Sequence, residues 1–93
     1  MTESQIERWM VSQVRRFGGL CYKFTSPGHA GVPDRIVITP AGRIIFVELK
    51  SDTGRLSKLQ RHEISELQKR DADVRVLKGI KQVKAFVEEV MQA

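Results

Sequence analysis

Residues 32–50 read Val32-Pro-Asp-Arg-Ile-Val-Ile-Thr-Pro-Ala-Gly-Arg-Ile-Ile-Phe-Val-Glu-Leu-Lys50. Two β-rich runs, Asp34–Thr39 and Arg43–Lys50, are separated by Pro40-Ala-Gly42, a composition typical of a turn. We therefore expect the runs to pair as an antiparallel hairpin. Alternate residues of the second run are apolar on both faces up to Phe46, which indicates a central strand covered on two sides.

Charged residues interrupt this apolar pattern at its end. Alternation places Glu48 and Lys50 on one face of the second strand, and hairpin pairing can bring Asp34 beside Glu48. Unpaired buried charge costs several kcal/mol, so these groups need a metal ion, a substrate or each other. The alternative is an ordinary Glu/Lys pair that reaches water at a fraying strand end.

The rest of the chain supplies further elements around this hairpin. Thr2 with Gln5, and Ser57 with Gln60, match the capping box that begins a helix. Residues 26–31 are rich in glycine and form a predicted loop. Besides the hairpin, apolar periodicity predicts four elements: a helix to Phe17, a strand over Leu20–Thr25, a helix from Ser57 to about Arg70, and a strand over Val74–Lys78. A terminal helix carries an apolar stripe from Ile80 to Val90. The order αβββαβα predicts an α/β fold with a central mixed sheet flanked by helices.

Composition limits the function. The 93 residues fit one domain over 1–93, and a net charge of +5 with a pI near 9.8 favours a polyanionic partner such as nucleic acid. A single cysteine, Cys21, indicates a reducing compartment. Without an apolar run long enough to cross a bilayer, or a signal-peptide pattern, we expect an unexported cytoplasmic protein with no membrane partner.

The charged set suits phosphodiester hydrolysis. Carboxylate oxygens are the ligands that Mg²⁺ or Mn²⁺ prefers, and such an ion activates water and offsets phosphate charge. Lys50 could orient that water or stabilise developing charge. The sequence has neither zinc-ligand spacing nor a glycine-rich phosphate loop, so we expect no nucleotide cofactor.

Two polar residues fall on helix faces predicted to point inward. A projection at about 100° per residue puts Glu7 in the apolar stripe of the first helix and Gln60 on the inner side of the second. We expect both to approach the face that carries Glu48. Glu7 fits a site ligand and a partly exposed flank residue equally well, and Gln60 also fits a purely capping role with Ser57.

Three segments carry a family resemblance: Gly31-Val-Pro-Asp-Arg35, Phe46-Val-Glu-Leu-Lys50 and Gly54-Arg-Leu-Ser-Lys-Leu-Gln60. Together they resemble the virus-type replication-repair nuclease (VRR-NUC) domain of the PD-(D/E)xK superfamily, whose core is restriction-endonuclease-like. The resemblance implies Asp34 and Glu48 as metal ligands, helped by the Leu49 backbone carbonyl. It also implies Lys50 as the catalytic lysine, Gln60 as a helix-borne site residue and Glu7 as the acidic residue of the first helix. Residues 6–19 are similar to the start of archaeal-type Holliday-junction resolvases.

These features lead to a structure-selective DNA endonuclease. We expect a homodimer on branched double-stranded DNA such as Holliday junctions, because paired cuts need two sites related by a two-fold axis. A flap or nicking repair nuclease and a non-catalytic basic DNA-binding module are the alternatives. The sequence leaves open whether a virus or prophage supplies the gene. The candidate phosphate contacts, each of which also fits an ordinary solvated side chain, are Lys23, His29, Arg35, Arg55, Lys58 and Arg61.

Overall fold

The computed structural model of the protein describes residues 1–91 and confirms the predicted order of elements. The elements are α1 (Glu3–Arg16), β1 (Leu20–Lys23), β2 (Arg35–Ile38), β3 (Ile44–Lys50), α2 (Lys58–Gln68), β4 (Asp73–Lys78) and α3 (Gly79–Met91). No helix within the described range is long and apolar enough to cross a membrane.

The sheet is mixed, as predicted, with the strand order β1-β2-β3-β4. β1 and β2, and β2 and β3, pair antiparallel, whereas β3 and β4 pair parallel across the α2 connection. The β2–β3 turn is closed by three hydrogen bonds of Thr39. Its N–H donates to the Arg43 carbonyl at 2.9 Å, its carbonyl accepts from the Gly42 N–H at 2.9 Å, and its hydroxyl accepts from the Arg43 N–H at 3.0 Å. This hairpin places β3 at the centre of the sheet.

Both capping boxes form. The hydroxyl of Thr2 accepts from the backbone N–H of Gln5, and the Gln5 side chain accepts from the Thr2 N–H. Ser57 and Gln60 make the same reciprocal pair at the start of α2. Because each pair satisfies two N–H groups that have no partner within the helix, the helix starts are determined locally by sequence.

The hydrophobic core lies between one face of the sheet and the helices α1 and α3. From β2 and β3 this face presents Val37, Ile45 and Val47, whose exposure is 0%. The helices cover these residues with apolar side chains at helical spacing: Ile6, Met10, Val14, Val83, Phe86, Val87 and Val90. The α1/α3 side is therefore the closed side of the sheet.

Several predicted boundaries were too wide. β1 ends at Lys23 rather than Thr25, although the Phe24 N–H still donates to the Asp34 carbonyl at 2.8 Å. β2 begins at Arg35, so Asp34 lies just before it, after Pro33 has removed a backbone donor. α2 ends at Gln68, two residues before the predicted end, because the chain turns away through Asp71 at a φ of 60°.

Candidate active site

Asp34 and Glu48 meet at the end of the β2–β3 pairing. The register ends with the pair Arg35 and Val47, so Asp34 and Glu48 each lie one residue beyond it, and they are close enough for the charge of Asp34 to raise the pKa of Glu48. Residues directly opposite on neighbouring antiparallel strands point to the same face. The hairpin therefore brings the two carboxyl groups together, as the sequence predicted.

Glu48 is fully buried, which is unusual for a carboxylate. Its Oε2 accepts a hydrogen bond from Gln60 Nε2 at 3.3 Å and lies 3.5 Å from Lys50 Nζ. Its Oε1 is also buried, yet it has no hydrogen-bond partner among residues 1–91. A buried oxygen left without a partner is costly, so this atom is poised to take a ligand.

The pKa of Glu48 also indicates that the Asp34–Glu48 pair favours a bound positive charge. Burial and, next, the negative charge of Asp34 raise the pKa of Glu48 from 4.5 to about 7, although Lys50 acts to lower it. Two carboxylates that share a site resist joint ionisation unless a positive charge lies between them. Lys50 supplies only part of that charge, because its side chain contacts Glu48 Oε2 alone among the described carboxylates.

Gln60 performs both of the roles that the sequence left as alternatives. Its Oε1 accepts from the Ser57 N–H at 2.9 Å to complete the cap, while its Nε2 donates to Glu48. The capping box thus fixes the orientation of the amide that Gln60 presents to the site. One side chain connects the start of α2 to the buried carboxylate.

Glycines shape the walls of the site. Gly54 faces the Lys50 side chain so closely that a Cβ there would lie 3.3 Å from its Cβ and Cδ atoms. Gly31 has a φ of +96°, and a Cβ there would lie 2.8 Å from the backbone C and O of Leu59. The loop before Asp34 can therefore pack against α2 only with glycine at position 31. The sequence motif containing Gly31 gave no sign of this contact.

Glu7 does not join the Asp34–Glu48 pair in this structure. Its Oε2 lies 3.1 Å from Arg35 Nε, in a pair that is about four-fifths buried. Arg35 shares its face of the sheet with the core residue Val37, so Glu7 lies on the α1/α3 side, opposite Glu48. The expectation that Glu7 approaches the same face is thus not met, and its role as a ligand stays a prediction.

The candidate phosphate contacts fall into two groups. Two of them are engaged within the protein: Arg35 with Glu7, and His29 Nε2 with Glu63 Oε1 at 2.7 Å. The other four are exposed and form no ion pair with a described residue: Lys23, Arg55, Lys58 and Arg61. Their roles on nucleic acid stay predictions.

The residues present fit a divalent cation. Mg²⁺ commonly takes one or two protein carboxylates and fills its other positions with water and phosphate oxygens. Asp34 and the unpartnered Glu48 Oε1 meet this requirement. Within residues 1–91 there is no cluster of three or more His, Cys, Asp and Glu residues suited to a metal ion. Any ion here would therefore be held by a pair of carboxylates and not by a closed protein cage.

Comparison with known proteins shows the family of the chain. The family model described as the VRR-NUC domain matches residues 17–81, a span that contains Asp34, Glu48, Lys50 and Gln60. The chain belongs to the VRR-NUC domain family. It is therefore a nuclease domain, and the resemblance drawn from its three motifs is confirmed.

Individual VRR-NUC relatives extend the comparison. A protein of Acyrthosiphon pisum secondary endosymbiont phage 1, with the name "Putative nuclease p44", is 49% identical over 65 residues, covering 70% of each chain. A solved VRR-NUC domain superposes with a TM-score of 0.87 at 33% identity, covering 95% of this chain and 97% of that one. Another VRR-NUC domain protein, 21% identical, shares the fold with a TM-score of 0.77 over 99% of this chain and 89% of its own.

Proposed function

We propose that this VRR-NUC domain is a metal-dependent endonuclease that hydrolyses phosphodiester bonds in branched double-stranded DNA and acts as a homodimer. The observation that carries the proposal is the buried Glu48, set opposite Asp34 and next to Lys50, with one carboxylate oxygen left without a partner. A structural ion pair would have both oxygens satisfied. The unpartnered oxygen of Glu48 suits a site in which a metal ion and the substrate supply the missing contacts.

The side chains divide the chemistry between them. Asp34, Glu48 and the Leu49 backbone carbonyl would hold Mg²⁺ or Mn²⁺, which supplies charge neutralisation and a water of lowered pKa. Lys50 Nζ, 3.5 Å from Glu48 Oε2, orients the attacking water and stabilises charge that develops on the phosphate. Gln60 holds Glu48 Oε2 from α2, so Oε1 is the oxygen that would be available to an ion.

The positive charge and the small size of the domain support recognition of branched DNA through contacts with its phosphate backbone. A net charge of +5 on 93 residues favours phosphate contacts, which give affinity without reading sequence. In the described part of the chain the three helices are elements of the fold itself, and no helix-turn-helix pair is added for reading bases. The phage relative supports a viral or prophage origin and action on intracellular DNA.

The open face of the sheet supports a homodimer. On the face opposite the core, Leu20, Tyr22 and Ile44 are 47%, 54% and 57% exposed. Tyr22 lies two residues after Leu20 on β1, and Ile38 of β2 lies between Leu20 and Ile44. Adjacent exposed apolar side chains mark interaction surfaces. A two-fold axis through this face would relate two sites, as paired cuts of a junction require.

Cleavage of synthetic DNA tests the catalytic proposal. We expect a labelled four-way junction to be cut in the presence of Mg²⁺ or Mn²⁺ and left intact in EDTA, and Asp34→Asn to abolish cutting. The exposed Asp71→Asn, at a positive φ that Asn tolerates, is the matched control and should cut like wild type. Full activity of Asp34→Asn, or cleavage in EDTA, would refute the site.

Substrate choice and assembly need separate measurements. Flap, nicked and linear duplexes at the same salt concentration distinguish a junction nuclease from a flap or nicking enzyme, and equal rates on linear DNA would contradict structure selectivity. Sedimentation at several protein concentrations tests the dimer, with Tyr22→Lys as the disrupting variant and Lys81→Gln as the surface control. A wild-type protein that stays monomeric while it cuts both junction strands would rule the dimer out.

A further inference from the structure

A groove of about 520 Å³ lies next to the candidate site, between the end of β4, the loop before α2 and α2 itself. Its walls carry four cationic side chains, Lys50, Arg55, Arg61 and Lys78, and no acidic residue is among those that line it. Leu56 and Val76 provide an apolar surface between the charges. The groove shares Lys50 with the site but extends away from Asp34, towards the β4 edge of the sheet.

Lys50 and Lys78 are direct neighbours across the parallel β3–β4 pair, so their side chains leave the sheet on the same face. Like charges in cross-strand positions destabilise a sheet. Lys50 is partly neutralised by Glu48, but Lys78 forms no ion pair with any described residue. An anion bound between the two side chains would relieve this repulsion.

Three arginines elsewhere on or next to the sheet, by contrast, are paired with carboxylates. On the α1/α3 side, Arg35 is neutralised by Glu7 and Arg75 by Asp73 and Glu89. Arg43 is also paired with Asp73. In the groove, Arg55, Arg61 and Lys78 have no carboxylate within salt-bridge distance among residues 1–91. Three cations without a carboxylate partner among residues 1–91 thus share one groove next to the buried Glu48.

We infer that this groove binds the DNA backbone next to the scissile phosphate, and that Lys78 is a phosphate contact of the substrate strand. The inference rests on the proposed nuclease function and adds the path of the strand, which runs from the Asp34–Glu48 pair across Lys50 to the β4 edge. Phosphates lie between the cationic walls, and a deoxyribose packs on Leu56 and Val76. These contacts touch no base edge, so the groove binds without sequence preference.

Binding measured without cleavage tests this path. Fluorescence anisotropy of a labelled four-way junction in EDTA, from 50 to 200 mM salt, gives the affinity and its salt dependence. For Lys78→Gln we expect affinity about fivefold to tenfold weaker at 0.1 M salt, and a log–log salt slope reduced by about 0.7 to 0.9, as for one lost phosphate contact. Lys78→Arg should restore both.

Lys81→Gln is the matched control, because Lys81 is an exposed α3 lysine outside the groove. An equal change in Lys78→Gln and Lys81→Gln, or an unchanged slope for Lys78→Gln, would overturn the inference. Wild-type protein that binds through Lys78 but never cleaves would instead refute the proposed nuclease activity, so the two failures are distinguishable.

Discussion

The two faces of strand β3 differ sharply in what they carry. Ile45, Val47 and Leu49 point to the α1/α3 side and are almost completely excluded from water. On the other face Ile44 is 57% exposed and Phe46 is half-buried. Glu48 on this face is buried, and its Oε1 has no hydrogen-bond partner among residues 1–91. One face of a seven-residue strand thus stabilises the fold, and the other carries the candidate chemistry.

The difference shows how a small domain keeps an unfavourable charge in place. Full burial of the apolar residues on the closed face contributes about 1.5 to 3 kcal/mol for each large side chain. That stabilisation offsets the cost of a buried carboxylate on the same strand. Because alternate residues belong to different faces, substitutions at neighbouring positions should separate activity from stability.

The largest effect is expected for Glu48→Gln. Removing the negative charge should lower the cleavage rate by about 100- to 1,000-fold, since loss of one preorganised electrostatic group in an active site has effects of this size. The fold should persist, because Gln keeps the shape of Glu and can still bond to Gln60. Cleavage kinetics together with circular dichroism measure both quantities, and Glu88→Gln on α3 is the exposed control.

Ile45→Ala probes the opposite face. Loss of a fully buried side chain should reduce the free energy of unfolding by about 2 to 5 kcal/mol, as measured by urea denaturation. The folded fraction should cleave at nearly the wild-type rate in saturating metal, because Ile45 does not point towards Glu48. A large loss of activity in fully folded Ile45→Ala would show that the two faces are not independent.

Acidity should affect stability through Glu48. The folded pKa of about 7 lies above the ordinary value of 4.5, so the folded protein binds this proton more tightly than the unfolded chain does. The resulting contribution is present below pH 4.5 and is lost as the pH rises through 7. We expect metal-free wild type to lose about 3 kcal/mol relative to Glu48→Gln between pH 4.5 and 8.

Denaturation in EDTA at several pH values measures this difference. Adding Mg²⁺ at pH 8 should then raise the stability of wild type but not that of Glu48→Gln, because only the native carboxylate pair binds the ion. Parallel pH curves for the two proteins would contradict the raised pKa of Glu48. Asp73 behaves in the opposite sense: Arg75, then Arg43, lowers its pKa, so its contribution is lost only in acid.

Gly31→Ala tests how the loop positions Asp34. The positive φ and the contact with Leu59 should cost about 1 to 2 kcal/mol of stability and displace the loop that leads to Asp34. Cleavage should fall more than it does for Gly28→Ala, which has a positive φ but no atom within 4 Å of a new Cβ. Equal activity of the two variants would mean that the Gly31 contact does not position Asp34.

The smallest effect concerns Glu7 and Arg35, the part-buried pair on the closed face. A double-mutant cycle with Glu7→Gln and Arg35→Gln should give a coupling energy of about 1 kcal/mol in unfolding experiments. If Glu7 has only this structural role, Glu7→Gln leaves the Mg²⁺ dependence of cleavage unchanged. A raised Mg²⁺ requirement would instead place Glu7 among the ligands and connect the two faces.

Local patterns predicted much of the fold because their causes are local. Thr2 with Gln5, and Ser57 with Gln60, satisfy helix N–H groups within four residues, so the helix starts could be read directly. The β2–β3 hairpin followed from its turn and its alternation. The strand ends were predicted less accurately. β2 begins only at Arg35, because Pro33 has no backbone N–H to donate to a neighbouring strand.

The helical projections predicted the position of Gln60 relative to Glu48 but not that of Glu7. Gln60 reaches Glu48, as its inward position predicted, whereas Glu7 is inward but lies across the sheet. A projection shows which side of a helix faces the protein, but it does not show which face of the sheet that helix covers. The sequence did not predict that Lys78 lies beside Lys50. Their pairing depends on the register of β3 and β4, and these parallel strands are joined by a long crossover connection.

The sequence by itself determined the order of the elements, the helix caps, the antiparallel hairpin and the pairing of Asp34 with Glu48. These depend on interactions within a few residues or across one tight turn. Only the tertiary structure decided that α1 and α3 share the closed face, that Glu7 pairs with Arg35, and that Lys78 joins the basic groove. Those outcomes depend on how distant segments pack, since burial and charge pairing are settled only when the whole sheet is assembled.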